Sequence, residues 1–168
     1  MNSFVPFTIM SPAIDAAGLI PERFVGNRFG CTGGDISPPL TWSGVPAAAK
    51  SLALTVYDPD APTGSGFWHW LVANLPPSIE GLPEGAGAVG GAGLPAGAVF
   101  GLGDAGVAGY FGPTPPAGDP PHRYIFTLHA VDTDRLPVDG TSSGALVGFA
   151  LHYHTVAKAT VIYRYGRK

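Results

Sequence analysis

The sequence predicts a mainly β fold of antiparallel strands with one helix near its end. Three observations carry this. Runs of β-forming residues recur along the chain, glycine and proline crowd the gaps between them, and one helical periodicity appears late. Glycine and proline number 25 and 18 of the 168 residues, a share that in some chains marks low complexity. Here 45% of residues are apolar and 11% aromatic, more than a disordered chain carries. The glycines and prolines therefore read as fixed turns in a single folded domain over residues 1–168.

In order, Met1 to Ile14 alternates loosely and predicts one strand. Pro21 to Gly34 is irregular and ends in the turn signal Gly33-Gly34-Asp35. Ser37-Pro38-Pro39-Leu40-Thr41-Trp42 is a rigid lead into a short strand, because proline fixes φ and the residue before it stays extended. Ser51 to Tyr57, nearly all apolar, is a buried strand. It stops at Asp58-Pro59-Asp60-Ala61-Pro62, where two prolines forbid a continuing ladder. Phe67 to Leu75 is a second strand, forming a hairpin with the first around a long loop. Pro76 to Gly109 carries the weakest signal and predicts a loop. His122 to Asp132 is a third strong strand. Thr141-Ser142-Ser143 offers an N-cap, and Leu146, Phe149, Ala150, Tyr153 and Ala157 then recur at helical spacing, predicting about four turns of helix. Ala159 to Tyr165 closes the series as a last strand.

Charged residues are 12% of the chain, about half the usual share, so the surface is weakly charged and suits partial cover by a second subunit. The net charge is −3 with no basic run, which excludes nucleic acid as the main partner. Cys31 is the sole cysteine, so no internal disulfide forms and no oxidising compartment is implied. MNSFVPFTIM lacks the positive and apolar regions of a signal peptide, and no apolar stretch reaches the roughly 20 residues of a bilayer span. The expectation is a cytoplasmic protein without an integral membrane segment.

Several motifs compete for a chemical role. Gly85, Gly87 and Gly90 match GxGxxG, but no strand precedes them and no helix follows, so dinucleotide binding is not expected. His152 and His154 stand two apart on the predicted helix and face apart, so they read as one partly buried and one surface histidine. Asp58 and Asp60 stand two apart at a strand end, where extended backbone projects both carboxylates to one side. Like charges there need cations or hydrogen-bond donors; the plain alternative is an ordinary Asp-Pro turn. In Phe67-Trp68-His69-Trp70, alternation sends the two tryptophans to one face and His69 with Phe67 to the other. Tyr110 to Tyr124 is a proline-stiffened loop running into His122, with Tyr124 on the same face two residues later.

DPDAPTGSGFWHWLVANLP and, downstream, GPTPPAGDPPHRYIFTLHAVD resemble the two signature blocks of the phosphatidylethanolamine-binding protein family, in particular its bacterial Raf kinase inhibitor-like (YbhB/YbcL) group. GGDISPPLTWSGVP and SSGALVGFALHYHTVAKA are similar to that group as well, so the likeness runs from about Gly33 to Tyr165. The resemblance implies a large central antiparallel sheet packed on a smaller one, with a Greek-key connection and a helix near the C-terminus. It also implies an anion pocket at one end of the sheets. Residue by residue, the acidic pair falls on Asp58 and Asp60, the histidines on His69 and His122, the tyrosine on Tyr124, and the Gly-x-x-Pro-Pro loop on Gly112, Pro115 and Pro116. Thr114 stands where relatives often carry glycine or cysteine. Phe100-Gly101-Leu102-Gly103-Asp104 replaces a more polar run, which predicts an apolar rim.

In this pocket each aspartate is expected to accept a hydrogen bond from an imidazole and raise its pKa, so that a protonated His69 or His122 meets the anion. Backbone N–H groups of Gly112, Thr114, Ala117 and Gly118 would add donors, between walls of Trp, Phe and Tyr. The leading function is a module binding a phosphate, phosphoryl head group or carboxylate. The others are a regulator docking a protein partner, as the kinase-inhibitor likeness implies, and an enzyme using Asp58, Asp60, His69 and His122 as acid and base. No cofactor and no metal are expected, since the blocks lack a metal-ligand spacing. Bacterial relatives are often dimers, which makes a homodimer an expectation here.

Overall fold

The computed structural model describes residues 5–168; residues 1–4, within the span expected to hold the first strand, lie outside it. Eight strands form: β1 Thr8–Met10, β2 Leu40–Ser43, β3 Ser51–Asp58, β4 Phe67–Leu75, β5 Gly81–Leu82, β6 Val99–Phe100, β7 His122–Val131 and β8 Thr155–Tyr165. One helix, α1, spans Gly144–His154. The larger sheet has the order β6-β4-β3-β7-β8 and the smaller β1-β2-β5, with every pairing between these strands antiparallel. Along the large sheet β7, β3, β4 and β6 stand in the order fourth, first, second, third, which is a Greek key.

β3 is central because both its faces are apolar. Leu52, Leu54 and Val56 point to the smaller sheet and join Leu128, Phe126, Ile9, Leu40 and Trp42 in the main core. Ala53 points the other way and joins Leu71, Ala73 and Val131 in a second cluster, closed by Val147 and Leu151 of α1. The sheet is thus packed on both sides, by a sheet on one and a helix on the other.

Alternation breaks twice in β4. Val56 pairs with Trp70 and Tyr57 with Trp68, one step against two, so His69 is an extra residue in a β-bulge. The expected common face for Trp68 and Trp70 is therefore corrected: Trp70 is in the main core, and Trp68 packs against the helix-side cluster and Tyr57. The second irregularity lies between the pairs made by Leu52 and Leu54, near Asn74, whose φ is 62°. The Asn74 side chain compensates by accepting from the Leu136 N–H at 2.7 Å.

Ser143 caps α1 by accepting from the Leu146 N–H at 3.2 Å. The helix has 11 residues, about three turns, and stops at His154 because Thr155 already belongs to β8. The strand accordingly starts four residues before the expected Ala159, and Ala157 lies in it rather than in the helix. The recurring apolar stripe is also not the buried one. Gly144, Val147 and Leu151 face the sheet, while Leu146, Phe149 and Tyr153 are 51%, 63% and 66% exposed. Both helix faces are apolar, so periodicity marks a helix without saying which side is inward. Within Pro76–Gly109, β5 and β6 are two-residue strands, and Leu82, Ala86 and Phe100 anchor the intervening turns in the core.

Leu128 is fully buried between β3 and β8. Leu128→Ala is expected to cost about 2–5 kcal/mol in a denaturant titration, whereas Phe149→Ala on the outer helix face should cost under about 1 kcal/mol.

Candidate functional site

Three strand ends meet at one end of the large sheet: the close of β3, the opening of β4 and the opening of β7. They bring Asp58, His69 and His122 to one cavity of about 460 Å³, large enough for a small organic molecule.

Asp58 is fixed first by its own turn. Its Oδ1 accepts the N–H groups of Asp60 at 2.8 Å and Ala61 at 3.1 Å, an Asx turn that ends β3. Its Oδ2 accepts from His122 Nδ1 at 2.8 Å, with both side chains 4% exposed. The other imidazole nitrogen, Nε2, reaches Asp119 Oδ2 at 3.2 Å. Carboxylates only accept, so an imidazole donating to both is the imidazolium. Burial pulls the His122 pKa down, but the bonds to Asp58 and Asp119 outweigh it and hold it above the ordinary 6.5.

His69 is in the opposite state. Its Nδ1–H donates to the Phe111 carbonyl at 2.7 Å, and Phe111 N–H returns a bond to the His69 carbonyl at 3.0 Å. Its ring stacks on Phe111 and meets Phe67 and Tyr124. Burial lowers its pKa below 6.5, so the ring is neutral with Nε2 as an acceptor. The cavity therefore joins one imidazole kept charged to one kept neutral.

Asp60 departs from expectation. It meets no imidazole; it receives Arg123 Nη2 at 2.8 Å, Nε at 3.0 Å and the backbone N–H at 2.9 Å. The Arg123 hydrogen bond holds its carboxyl down at about 2. The backbone turns straight after Asp58, so the same-side rule for residues two apart does not apply. Gly112 is not a free donor either, since its N–H goes to Asp35 Oδ1 at 2.8 Å, and the Gly118 N–H is taken by the Arg167 carbonyl at 3.0 Å. Thr114, Pro115, Pro116 and Ala117 line the cavity; Tyr124 and Gly112 lie behind that lining. The Tyr124 hydroxyl is buried without a partner among the described residues.

The walls are phenylalanine and proline, not tryptophan or tyrosine: Phe29, Phe67, Pro62 and Pro116. Phe100 to Asp104 contributes nothing to the lining, because Phe100 is in the core and Asp104 Oδ2 accepts the Trp68 N–H at 2.8 Å. The expected apolar rim is supplied instead by residues sequence reasoning missed, Phe29 above all. Arg167 was also missed. Its guanidinium donates to the carbonyls of Pro115 at 2.8 Å, Gly30 at 2.8 Å and Phe29 at 3.1 Å, clamping two walls together. No local motif announces it, because its partners lie 52 to 138 residues away.

Outside the cavity, His154 Nδ1 reaches Asp132 Oδ1 at 2.9 Å and His152 is exposed. Gly85, Gly87 and Gly90 lie in turns between β5 and β6. Among the described residues no group of three His, Cys, Asp or Glu side chains is placed to hold a metal ion.

The family model for phosphatidylethanolamine-binding protein matches residues 10–166. The chain is 50% identical to the YbcL protein of Escherichia coli K12 over 155 residues, 92% of this chain and 85% of that one. It is also 50% identical to the YbhB protein of the same organism over 142 residues, 84% of this chain and 89% of that one. The crystal structure of Escherichia coli YbcL superposes with a TM-score of 0.94 at 49% identity, covering 96% of this chain and 99% of that one. A phosphatidylethanolamine-binding protein from Plasmodium vivax shares the fold at a TM-score of 0.55 and 17% identity, over 79% of this chain and 72% of that one.

Removing the Asp58 charge should release His122. A ring-proton NMR titration is expected to give the wild-type His122 a pKa above 6.5 and the Asp58→Asn variant a lower one. The stability that this pair contributes is fully present below the unfolded value and is lost as pH rises through the folded one, so Asp58→Asn should flatten that decline.

Proposed function

Because the chain belongs to the phosphatidylethanolamine-binding protein family, we propose that it is a ligand-binding protein whose pocket takes one small anionic group carried on an apolar body. The observation that carries this reading is the buried His122 imidazolium at the floor of a cavity walled by phenylalanine and proline. The His122 Nε2–H, held at 3.2 Å by the partly exposed Asp119, is the donor that a phosphate, phosphoryl head group or carboxylate would take over by displacing Asp119, and the walls suit the rest of the molecule. Asp58 and Asp119 keep the ring charged without contributing a donor of their own. Of the expected ligand-binding residues, Asp58, His69, Thr114, Pro115, Pro116 and His122 remain in the proposed pocket; Asp60, Gly112 and Tyr124 support it from outside the lining. A cytoplasmic setting is part of the proposal, consistent with Cys31 being free and buried.

A second reading has one observation in its favour. His122 held charged and His69 held neutral are the complementary states of a general acid and a general base. In that reading they act on a small, partly apolar substrate, and product formation lost in both His69→Ala and His122→Ala distinguishes it from plain binding.

We extend the proposal to a homodimer in which a second copy covers the outer face of α1, where Leu146, Phe149 and Tyr153 are exposed together. Tyr153→Asp should then shift the chain from dimer to monomer in sedimentation; a monomeric wild type would sink the idea.

Calorimetric titration of phosphoethanolamine and of a short-chain alkyl phosphate at about pH 6 and about pH 8 brackets the histidine range. Binding should be stronger at the lower pH, tighter for the alkyl phosphate, and at least about tenfold weaker in His122→Ala. No binding of either compound at either pH would end the anion reading.

A further inference from the structure

A second cavity, of about 370 Å³, opens on the opposite face of the large sheet, beneath the flank of α1. Its floor is Thr55 of β3, His129 of β7 and Lys158 of β8; Trp68 of β4 walls one side, and Gly148 and Leu151 of α1 form the roof. We propose that this cavity is a separate binding site for a small organic carboxylate.

The hydrogen bonds on the floor are incomplete in a way that invites an acceptor. His129 Nδ1 lies 3.1 Å from Thr155 Oγ1 and its Nε2 lies 3.4 Å from Thr55 Oγ1. Burial, reinforced by Lys158, lowers the His129 pKa to about 4, so at neutral pH the ring has one N–H and one lone pair. It donates to one threonine and accepts from the other. Whichever tautomer holds, the threonine that accepts keeps its own proton, and neither hydroxyl has another partner among the described residues.

The charge has one sign. The titratable groups around the cavity are His129, His152 and Lys158, with no aspartate or glutamate, and Lys158 makes no ion pair among the described residues. The negative end of α1 lies nearby, so a carboxylate sits against Lys158 and the one threonine hydroxyl whose proton is free rather than under the last helical carbonyls. Trp68 and Leu151 then accept the apolar remainder, which separates an organic acid from a bare inorganic ion.

Gly148 supplies an independent argument. Glycine in a helix interior weakens it relative to alanine, and here packing does not require it, since a Cβ would meet nothing within 4 Å. What the glycine does is leave the roof open. Filling that space should close the site without touching its polar floor.

The test is an amide NMR titration of the wild type with benzoate and with its neutral counterpart benzamide. Benzoate should shift Thr55, His129, Gly148 and Thr155 in the wild type and equally in His122→Ala, in which the first cavity is disabled, so the result stands apart from the reading of that cavity. Lys158→Ala should weaken benzoate about tenfold, Lys158→Arg should restore it, and Gly148→Leu should abolish it. The proposal is overturned if benzoate moves none of those four amides, if benzamide moves them as strongly, or if Lys158→Ala binds benzoate as the wild type does. Lys158 is exposed, so its loss leaves folding intact.

Discussion

The 2.8 Å hydrogen bond from His122 to Asp58 is the contact on which the rest of the site depends. It joins the last residue of β3 to the first of β7, the two central neighbours of the large sheet. Both side chains are almost wholly buried, so each needs the other: an unpaired charge at that depth would be strongly destabilising. The Asx turn of Asp58 orients its carboxylate before His122 arrives, and Asp119 closes the far side of the ring. Position and protonation state of the pocket floor thus follow from the same four carboxylate hydrogen bonds. His69, carried into the same cavity by a bulge, takes the opposite protonation state because its only strong partner is a backbone carbonyl.

Much of the fold was legible, for reasons specific to each element. β3, the first half of the hairpin, is a mostly apolar run rich in β-formers and ended by Pro59, and a run that short between turn residues suits a strand buried on both faces. β7 begins at His122 because the prolines before it cannot join a ladder. Where the reading failed, local pattern was ambiguous. A helix with apolar residues on both faces does not reveal its inner side, so the spacing of Leu146, Phe149 and Tyr153 marked a helix without marking the face that packs. A bulge is invisible to alternation, so Trp68 and Trp70 were placed together. β6 has only two residues, and its place beside β4 depends on distant pairing rather than on propensity.

The site divides along the same line. Asp58, His69 and His122 sit in or beside strands whose ends were readable, and the two family-like blocks brought them together. Asp60 meets Arg123 in place of the expected imidazole because a turn follows Asp58 and the guanidinium offers it two hydrogen bonds. Phe29 and Arg167 were missed because nothing near them in sequence speaks of a pocket. Both enter through contacts with backbone carbonyls and ring faces in distant loops.

Arg167 ties the wall of the cavity to the chain beyond β8. Its bonds to Phe29 and Gly30 span 138 and 137 residues and add to the bonds from Gly26 N–H to the Pro113 carbonyl and from Gly112 N–H to Asp35 that already join the two loops. β3, β4 and β7 hold the floor residues, while this part of the wall is held from beyond β8. The proposed pocket thereby couples its wall to the segment after β8, so loosening that segment would loosen the wall while leaving the floor in place.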